Sequence, residues 1–338
     1  MLNVFTQDAF SVVRLTGRVN DLPYIPGQIG ARGYFQEEGI DTTYFAIEKR
    51  NHGLAMVGPT PRGGPGESIA HPEDEMRLFA IPHFQRDDAV LADEVQNRRA
   101  FGTDDTLETV LGRVDRKMQR HTRDFDVTLE HQRVGAIKGI VTNKAGGVMI
   151  NLYTEFGVAA PDPVYFALDT TSTDLRDKSR TLLYLLEDAL DTTYSGIDAW
   201  CGRTFWDKIT THKYMRDAYI ALQDRARLLG QGEVDAFEAF GISWMRYRTG
   251  VKATAANGAA PFIAPDECRF VPRGVPGMFI TRFGPADYEE TVNTDGLPRY
   301  AKMWKRSDGK GYRLQVQTNP VTMCTLPQAL FKGLVAAS

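Results

Sequence analysis

The 338-residue sequence predicts an α+β protein, and three observations lead to that class. Residues 103–138 carry one long apolar stripe at helical spacing, without a proline. Two runs rich in β-formers, 40–47 and 76–81, flank a segment dense in glycine and proline. The C-terminal part alternates β-like runs with turns. Hydrophobic residues make up 42% of the chain, which is enough for a sizeable core.

The N-terminal region is predicted to form an arm followed by a hairpin. Residues 1–35 mix short apolar runs with prolines and glycines, so we expect an extended N-terminal arm and not a separate domain. The two β-rich runs are joined by residues 58–72, and together they predict an extended hairpin loop over residues 36–81. A structureless tip of about 15 residues is unusual inside a compact domain. We therefore expect the hairpin to reach out and touch another subunit.

The most regular element is a helix expected over about 103–139. Thr103 is a suitable N-cap, and Gly139 is a natural residue just past the C-terminus. At 1.5 Å per residue, about 35 residues form a rod of roughly 50 Å. Its apolar stripe predicts that one face packs on a sheet or on neighbouring elements. The stripe consists of Leu107, Val110, Leu111, Val114, Met118, Phe125 and Leu129.

Shorter elements follow this helix. Residues 139–158 alternate like a strand pair with a turn at Gly146-Gly147, and residues 313–317 read as a strand that ends at Asn319-Pro320. Two further helices are expected at 177–190 and 203–229. The expected core positions of the first are Leu182, Leu183, Leu185, Leu186 and Leu190.

A search for catalytic and ligand-binding motifs predicts no catalytic residue, no cofactor site and no metal site. The sequence contains no GxxxxGK[ST], HExxH, CxxC or GxSxG motif. His121 and His131 are about 80° apart on a helix, which is a poor spacing for a shared metal. The three cysteines, Cys201, Cys268 and Cys324, are far apart in sequence, so we expect buried thiols in a reducing compartment.

The net charge argues against a nucleic-acid coat, and the short apolar runs argue against a membrane-spanning protein. The formal net charge is −3, whereas duplex binding over a large surface needs a basic balance. No apolar run approaches the roughly 18–20 residues of a membrane span. Two basic stretches are interpreted as solvated faces with ion pairs to neighbours, and direct nucleic-acid contact is the open alternative. They comprise Arg113, Arg116, Lys117, Arg120 and Arg123, then Arg299, Lys302, Lys305, Arg306, Lys310 and Arg313.

The sequence resembles the lambda-type major capsid protein E family of tailed bacteriophages over nearly its whole length. The resemblance rests on the order and spacing of short stretches, since none of them is a catalytic motif. These stretches are residues 62–65, 80–84, 99–102, 128–130, 135–139, 290–294, 296–302 and 315–320.

The resemblance implies a Hong Kong 97-type phage capsid fold with an N-terminal arm, an extended hairpin loop, a long spine helix on a sheet and a second mixed domain. It implies a peripheral domain over 82–194 and 291–338 and an axial domain over 195–290. It further implies a major head protein, not an enzyme, that self-assembles into hexamers and pentamers of an icosahedral shell around double-stranded DNA. An encapsulin-like shell enclosing protein cargo is the alternative, and particle diameter and nucleic-acid content would separate the two.

The expected partners follow from the same resemblance. They are further copies of the chain, a portal at one vertex, a possible decoration protein, and packaged DNA held without sequence-specific contact, with assembly in the bacterial cytoplasm. The arm-like segment begins within a few residues of Met1, so we expect a separate scaffolding protein. Contact between subunits is expected at the hairpin tip, through Arg62, Gly63, Gly64, Pro65, Glu73, Asp74 and Glu75.

Overall fold

A computed structural model gives the fold of the chain. It describes residues 11–22, 27–49, 75–95, 110–190, 192–215, 236–248 and 261–336. The α-helices of this part are α1 (Val12–Asp21), α2 (Ala92–Val95), α3 (Val110–Lys138), α4 (Leu152–Phe156), α5 (Leu175–Ala189) and α6 (Arg203–Thr211).

The strands are short and are distributed along the whole described chain. They are β1 (Gln36–Gly39), β2 (Tyr44–Lys49), β3 (Glu75–Ala80), β4 (Phe84–Leu91), β5 (Ile140–Thr142), β6 (Val148–Asn151), β7 (Val164–Tyr165), β8 (Gly196–Cys201), β9 (Ala236–Ala239), β10 (Ile242–Arg246), β11 (Glu267–Arg273), β12 (Phe279–Phe283), β13 (Tyr300–Lys305), β14 (Gly311–Thr318), β15 (Pro320–Cys324) and β16 (Lys332–Leu334).

The long spine helix is confirmed over its described length, Val110–Lys138. Its C-terminus lies where the sequence places it, because Gly139 adopts a φ of +82° that favours glycine. Two buried turns of the helix, at Val114 and Met118, pack on Leu314 and Val316 of β14. The expected N-cap Thr103 lies outside the described residues.

Six described strands form one sheet in the order β7-β16-β11-β8-β10-β9. Its middle pair is antiparallel, with Cys201 opposite Cys268, while β10 runs parallel to β8. Trp244, Phe270 and Phe205 of α6 pack as an aromatic cluster against this sheet. A sheet covered in this way forms part of the core. We call it the axial sheet, because four of its strands lie in the expected axial range 195–290.

Two further sheets have three strands each within the described residues. Strand β14 lies between β13 and β4, and this sheet carries α1 and α3 on its buried face. In the other sheet, β1 runs parallel to β12, which pairs antiparallel with β15. Strands β5 and β6 form a two-stranded ribbon next to α3, and β2 pairs with β3 in a second ribbon.

The expected domain boundaries separate strands that share a sheet. Strands β7 and β16 lie in the expected peripheral ranges, yet they extend the sheet of β8 and β11. Strand β12 lies in the expected axial range, yet it pairs with β15. The hairpin also begins later than the expected residue 36. Residues 36–39 form β1, which pairs with β12, and the first hairpin strand, β2, begins at Tyr44. Pairing between strands distant in sequence causes each difference.

The N-terminal arm is not simply extended, which corrects the sequence-based expectation. Residues Val12–Asp21 form α1, whose side chains Leu15 and Val19 are buried. Ser11 caps this helix, since its hydroxyl accepts a hydrogen bond from the N–H of Arg14. Arg18 joins α1 to α3 through an ion pair of 2.5 Å with Asp115. Tertiary burial stabilises the helix here, although it is only ten residues long.

Smaller differences concern the elements after the spine helix. The strand pair expected over 139–158 is confirmed to Asn151, but residues 152–156 form α4 because the Asn151 side chain accepts hydrogen bonds from two N–H groups of its first turn. Helix α5 is confirmed, but Leu185 is 39% exposed and is wrongly placed in the core. Helix α6 ends at Thr211, and residues 216–229 of the expected helix lie outside the described residues.

Candidate intersubunit surfaces

Most of the predicted contact residues lie outside the described part of the chain. This applies to Arg62, Gly63, Gly64 and Pro65, and to Glu73 and Asp74. Glu75 is the first residue of β3, where it is opposite Lys49 of β2. The structure therefore describes the base of the hairpin, on which the predicted tip stands.

The base of the hairpin has two different faces. Side chains alternate along paired strands, so Phe45 and Phe79 are opposite each other on one face, while Tyr44 and Leu78 project to the other. Phe79 is buried, whereas Tyr44 is 59% exposed and Leu78 is 66% exposed. We call the face formed by Tyr44, Ala46, Leu78 and Ala80 the outer hairpin face. Sequence analysis did not identify it, although the alternation within 44–47 carries the signal.

The inner face fixes the hairpin base to its own subunit. The ring of Phe79 lies 6.2 Å from that of Phe156 on α4, and the Arg282 guanidinium lies 5.6 Å from the ring of Phe45. Just after β3, the N–H of Ile81 donates to the carbonyl of Thr43. The outer hairpin face is therefore held in a defined orientation by packing on its reverse side.

The second half of the arm is bound to its own subunit. The carboxylate of Glu130 on α3 accepts hydrogen bonds from the N–H groups of Ile29 and Gly30, at 2.9 and 3.0 Å. Phe35 packs 5.2 Å from the ring of Phe279, and β1 then joins β12. These contacts hold Ile29, Gly30, Phe35 and β1 against the chain's own core.

The arm also contacts the axial sheet through a buried polar group. The hydroxyl of Tyr34 donates to the carboxylate of Asp198 and accepts from the indole N–H of Trp200 at 3.2 Å. Burial and the Asp198 carboxylate raise the pKa of Tyr34 well above its ordinary range, so its hydroxyl remains a donor. The Arg32 guanidinium lies 5.9 Å from the Trp200 ring centroid. The arm thus joins the spine helix to the axial sheet.

A groove of about 720 Å³ lies between α1, α3 and the segment before β13. Its lining includes Val13, Leu129 and Leu297 together with the buried pair Arg299 and Asp126. Val13 is 77% exposed, so α1 presents an apolar side chain at this groove. The groove and the outer hairpin face are exposed apolar surfaces of the described chain.

The basic stretches contain many ion pairs, as their sequence-based interpretation predicted. On α3, Lys117 lies 3.2 Å from Asp88 and 3.0 Å from Glu94. Arg299 forms a buried pair of 2.5 Å with Asp126. Further pairs join Arg113 to Glu94, Lys302 to Glu290, Arg306 to Asp308, and Arg313 to Asp87.

The described histidines and cysteines serve packing and hydrogen bonding. His83 lies 2.9 Å from the Asn319 side chain, and His212 lies 3.1 Å from the Thr170 carbonyl. All three cysteines are buried, as expected, but Cys201 and Cys268 are adjacent, which their sequence separation did not indicate. Within the described residues, no three His, Cys, Asp or Glu side chains are grouped closely enough to hold a metal ion. None of the described helices is long and apolar enough to span a membrane.

Comparison with known sequences identifies relatives over almost the whole chain. The major capsid protein of Pseudomonas phage KPP10 is 26% identical over 345 residues, covering 98% of each chain. The major capsid protein of Salmonella phage Felix O1 is 25% identical over 361 residues, covering 98% of this chain and 97% of that one.

Solved structures share the fold at low sequence identity. A phage-related protein from Bordetella bronchiseptica RB50 has a TM-score of 0.55 at 10% identity, covering 95% of this chain and 96% of its own. The mature capsid subunit of bacteriophage PhiM1 has a TM-score of 0.52 at 12% identity, covering 92% and 87%. The Hong Kong 97-type capsid fold is confirmed by these likenesses. The sequence model of the phage major capsid protein E family matches residues 11–335, and the chain belongs to that family.

Proposed function

We propose that this major capsid protein forms its shell by placing the outer hairpin face against an adjacent subunit, in hexamers and pentamers of an icosahedral particle. The observation that carries the proposal is the exposed apolar pair Tyr44 and Leu78 on a ribbon whose reverse face is packed. A two-stranded ribbon is not stable alone in water, so its fixed orientation comes from the subunit below it. A second copy of the chain supplies the apolar surface that covers its outer face.

The large number of identical contacts in a closed shell supports this proposal. Burying one leucine side chain contributes about 1.5–3 kcal/mol. Each hairpin then makes a modest contact, but closed symmetry links many such contacts in one particle. The predicted tip residues, Arg62 to Pro65 and Glu73 to Glu75, extend the same contact with polar groups. We assign Ile29 and Gly30 to contacts within the subunit, because their N–H groups donate to Glu130 of the same chain.

The proposed particle encloses double-stranded phage DNA without sequence-specific contact and without enzymatic activity of its own. The net charge of −3 supports a container, since a strongly basic lining would bind the duplex and hinder its movement. The proposal includes a separate scaffolding protein, a portal at one vertex, a possible decoration protein and assembly in the host cytoplasm. We retain a peripheral and an axial domain as the two halves of the subunit.

Substitution of Leu78 tests the proposed contact. Leu78→Asp removes an exposed apolar side chain and adds a charge, so the folded subunit is expected to persist while assembly fails. A loss of about 2 kcal/mol per contact lowers each pairwise association constant about 30-fold. Circular dichroism of the soluble subunit and particle counts by electron microscopy measure the two effects separately.

The matched control is Leu78→Ile, which keeps the apolar area and is expected to assemble. Tyr44→Asp, on the neighbouring strand of the same face, repeats the test if Leu78→Asp does not fold. Normal shells from a folded Leu78→Asp or Tyr44→Asp subunit would show that this face is not the contact between copies.

A further inference from the structure

Two buried cysteines form a close pair in the axial sheet. Cys201 at the end of β8 is opposite Cys268 near the start of β11, and their Sγ atoms are 3.3 Å apart. Both side chains are fully buried. The third cysteine, Cys324, lies on β15 in a different sheet, where its strand partner is Phe279.

The backbone geometry at this pair suits a disulfide. The carbonyl of Cys201 accepts a hydrogen bond from the N–H of Tyr247, on the side of β8 away from β11. On β11, the N–H of Phe270 donates to the carbonyl of Phe331, on the side of β11 away from β8. Backbone groups of alternate residues in a strand point the same way, so the N–H and carbonyl of Cys268 also point away from β8. The two cysteines therefore form a non-hydrogen-bonded antiparallel pair, in which Cα atoms are about 4.5 Å apart. Disulfides span Cα separations of about 4.4–6.8 Å.

We propose that Cys201 and Cys268 are a latent disulfide, formed when the folded protein meets a peroxide. One sulfur attacks a peroxide oxygen, the O–O bond breaks, and a sulfenic acid and water are formed. The second sulfur then attacks the sulfenic sulfur. The S–O bond breaks, a second water leaves, and the S–S bond joins β8 to β11. Hydrogen peroxide accepts the two electrons that the thiols lose.

The surroundings explain why the pair remains reduced while the subunit is made. Burial, and to a lesser extent the neighbouring Cys201 thiol, holds the pKa of Cys268 well above its ordinary value. Little of the reactive thiolate form is therefore present. A reducing cytoplasm also keeps thiols reduced. The biological use of the pair rests on the proposed function, in which host lysis moves finished particles to an oxidising medium. The chemistry itself depends only on the subunit fold.

The bond would lock the middle of the axial sheet. It would close a loop containing α6, β9 and β10, and cross-links that close long loops reduce the freedom of the unfolded chain. We expect oxidised particles to have a Tm about 5 °C higher than reduced ones.

Thiol counting after peroxide treatment tests the proposal. Purified particles, or the full-length soluble subunit, are treated with hydrogen peroxide, denatured in an alkylating reagent and analysed by mass spectrometry. The reduced chain should carry three alkylated cysteines. The oxidised chain should carry one, at Cys324, with a peptide that links Cys201 to Cys268 and is released by reductant. Use of the soluble subunit separates this result from any failure of shell assembly.

Two variants serve as controls. Cys324→Ala should form the same linked peptide and show the same rise in Tm, whereas Cys201→Ala should show neither. Three free thiols after treatment at doses that oxidise surface methionines would overturn the proposal. A bond that involves Cys324, or one between two chains, would overturn it equally.

Discussion

The carboxylate of Glu130, near the middle of the C-terminal half of the spine helix, accepts a hydrogen bond from the hydroxyl of Tyr247 at 3.2 Å. The same carboxylate binds the N–H groups of Ile29 and Gly30 on the arm. Burial and the Glu130 charge raise the pKa of Tyr247 far above its ordinary value, so this hydroxyl remains a donor. One side chain therefore joins the helix, the arm and the chain that follows β10.

Removal of the Glu130 carboxylate should loosen the arm. Glu130→Ala leaves one buried N–H group, one half-buried N–H group and one hydroxyl without their acceptor, and we expect a loss of about 3 kcal/mol in the free energy of unfolding. Glu130→Gln keeps one carbonyl oxygen and should lose about 1 kcal/mol. Urea unfolding followed by circular dichroism measures both values.

The control for this series is Glu155→Ala on α4, at an exposed position, where we expect a change within about 0.5 kcal/mol. Equal stability of Glu130→Ala and Glu155→Ala would show that the arm does not depend on this carboxylate.

Subunit stability should fall as the pH drops below neutrality, because of His121. Burial lowers the pKa of this imidazole below its ordinary value of 6.5, and nearby Arg86 acts in the same direction. Asp88, at 3.2 Å, and Asp124 oppose the effect without reversing it. Asp88 itself remains charged, because hydrogen bonds from Ala89 and Lys117 outweigh its burial and lower its pKa below 3.8.

The direction of this pH effect on stability follows from proton binding at His121. Between the ordinary value of 6.5 and the lower folded pKa, the unfolded chain binds more protons at His121 than the folded chain does. Stability is therefore complete above pH 6.5 and falls as the pH drops through that window, by at most about 1.4 kcal/mol per pH unit. His121→Gln keeps a donor toward Asp88 and should flatten the curve between pH 7 and 5. An unchanged slope in this variant would assign the pH dependence to other groups.

Shortening the hairpin tip should separate folding from assembly. Deletion of Arg62 to Glu67 leaves the spine helix and the ribbon of β2 and β3 intact, so the subunit is expected to fold. Shells should be absent or fragile, because the predicted polar contacts between subunits are removed. Soluble yield, circular dichroism and particle counts report the two outcomes. An unfolded subunit, or robust shells, would contradict the assignment of the tip as an intersubunit clasp.

Local patterns in the sequence were sufficient for several of the regular elements. The helical stripe and Gly139 defined the spine helix and its end, and the two β-rich runs predicted the pairing of β2 with β3. The run 313–317 predicted β14 for the same reason. Each of these depends on a periodicity or a turn residue within a short window, which a sequence displays directly.

The tertiary structure alone decided which distant segments meet. Glu130 binds N–H groups about one hundred positions earlier in the chain, and β1 pairs with β12, which is far from it in sequence. Cys201 and Cys268, which are far apart in sequence, become adjacent only through the register of β8 and β11. Such contacts arise from the packing of whole sheets and helices, which fixes strand order and register after the local elements are defined. No short window of sequence carries that information, because both partners must be placed by the fold before either can be recognised.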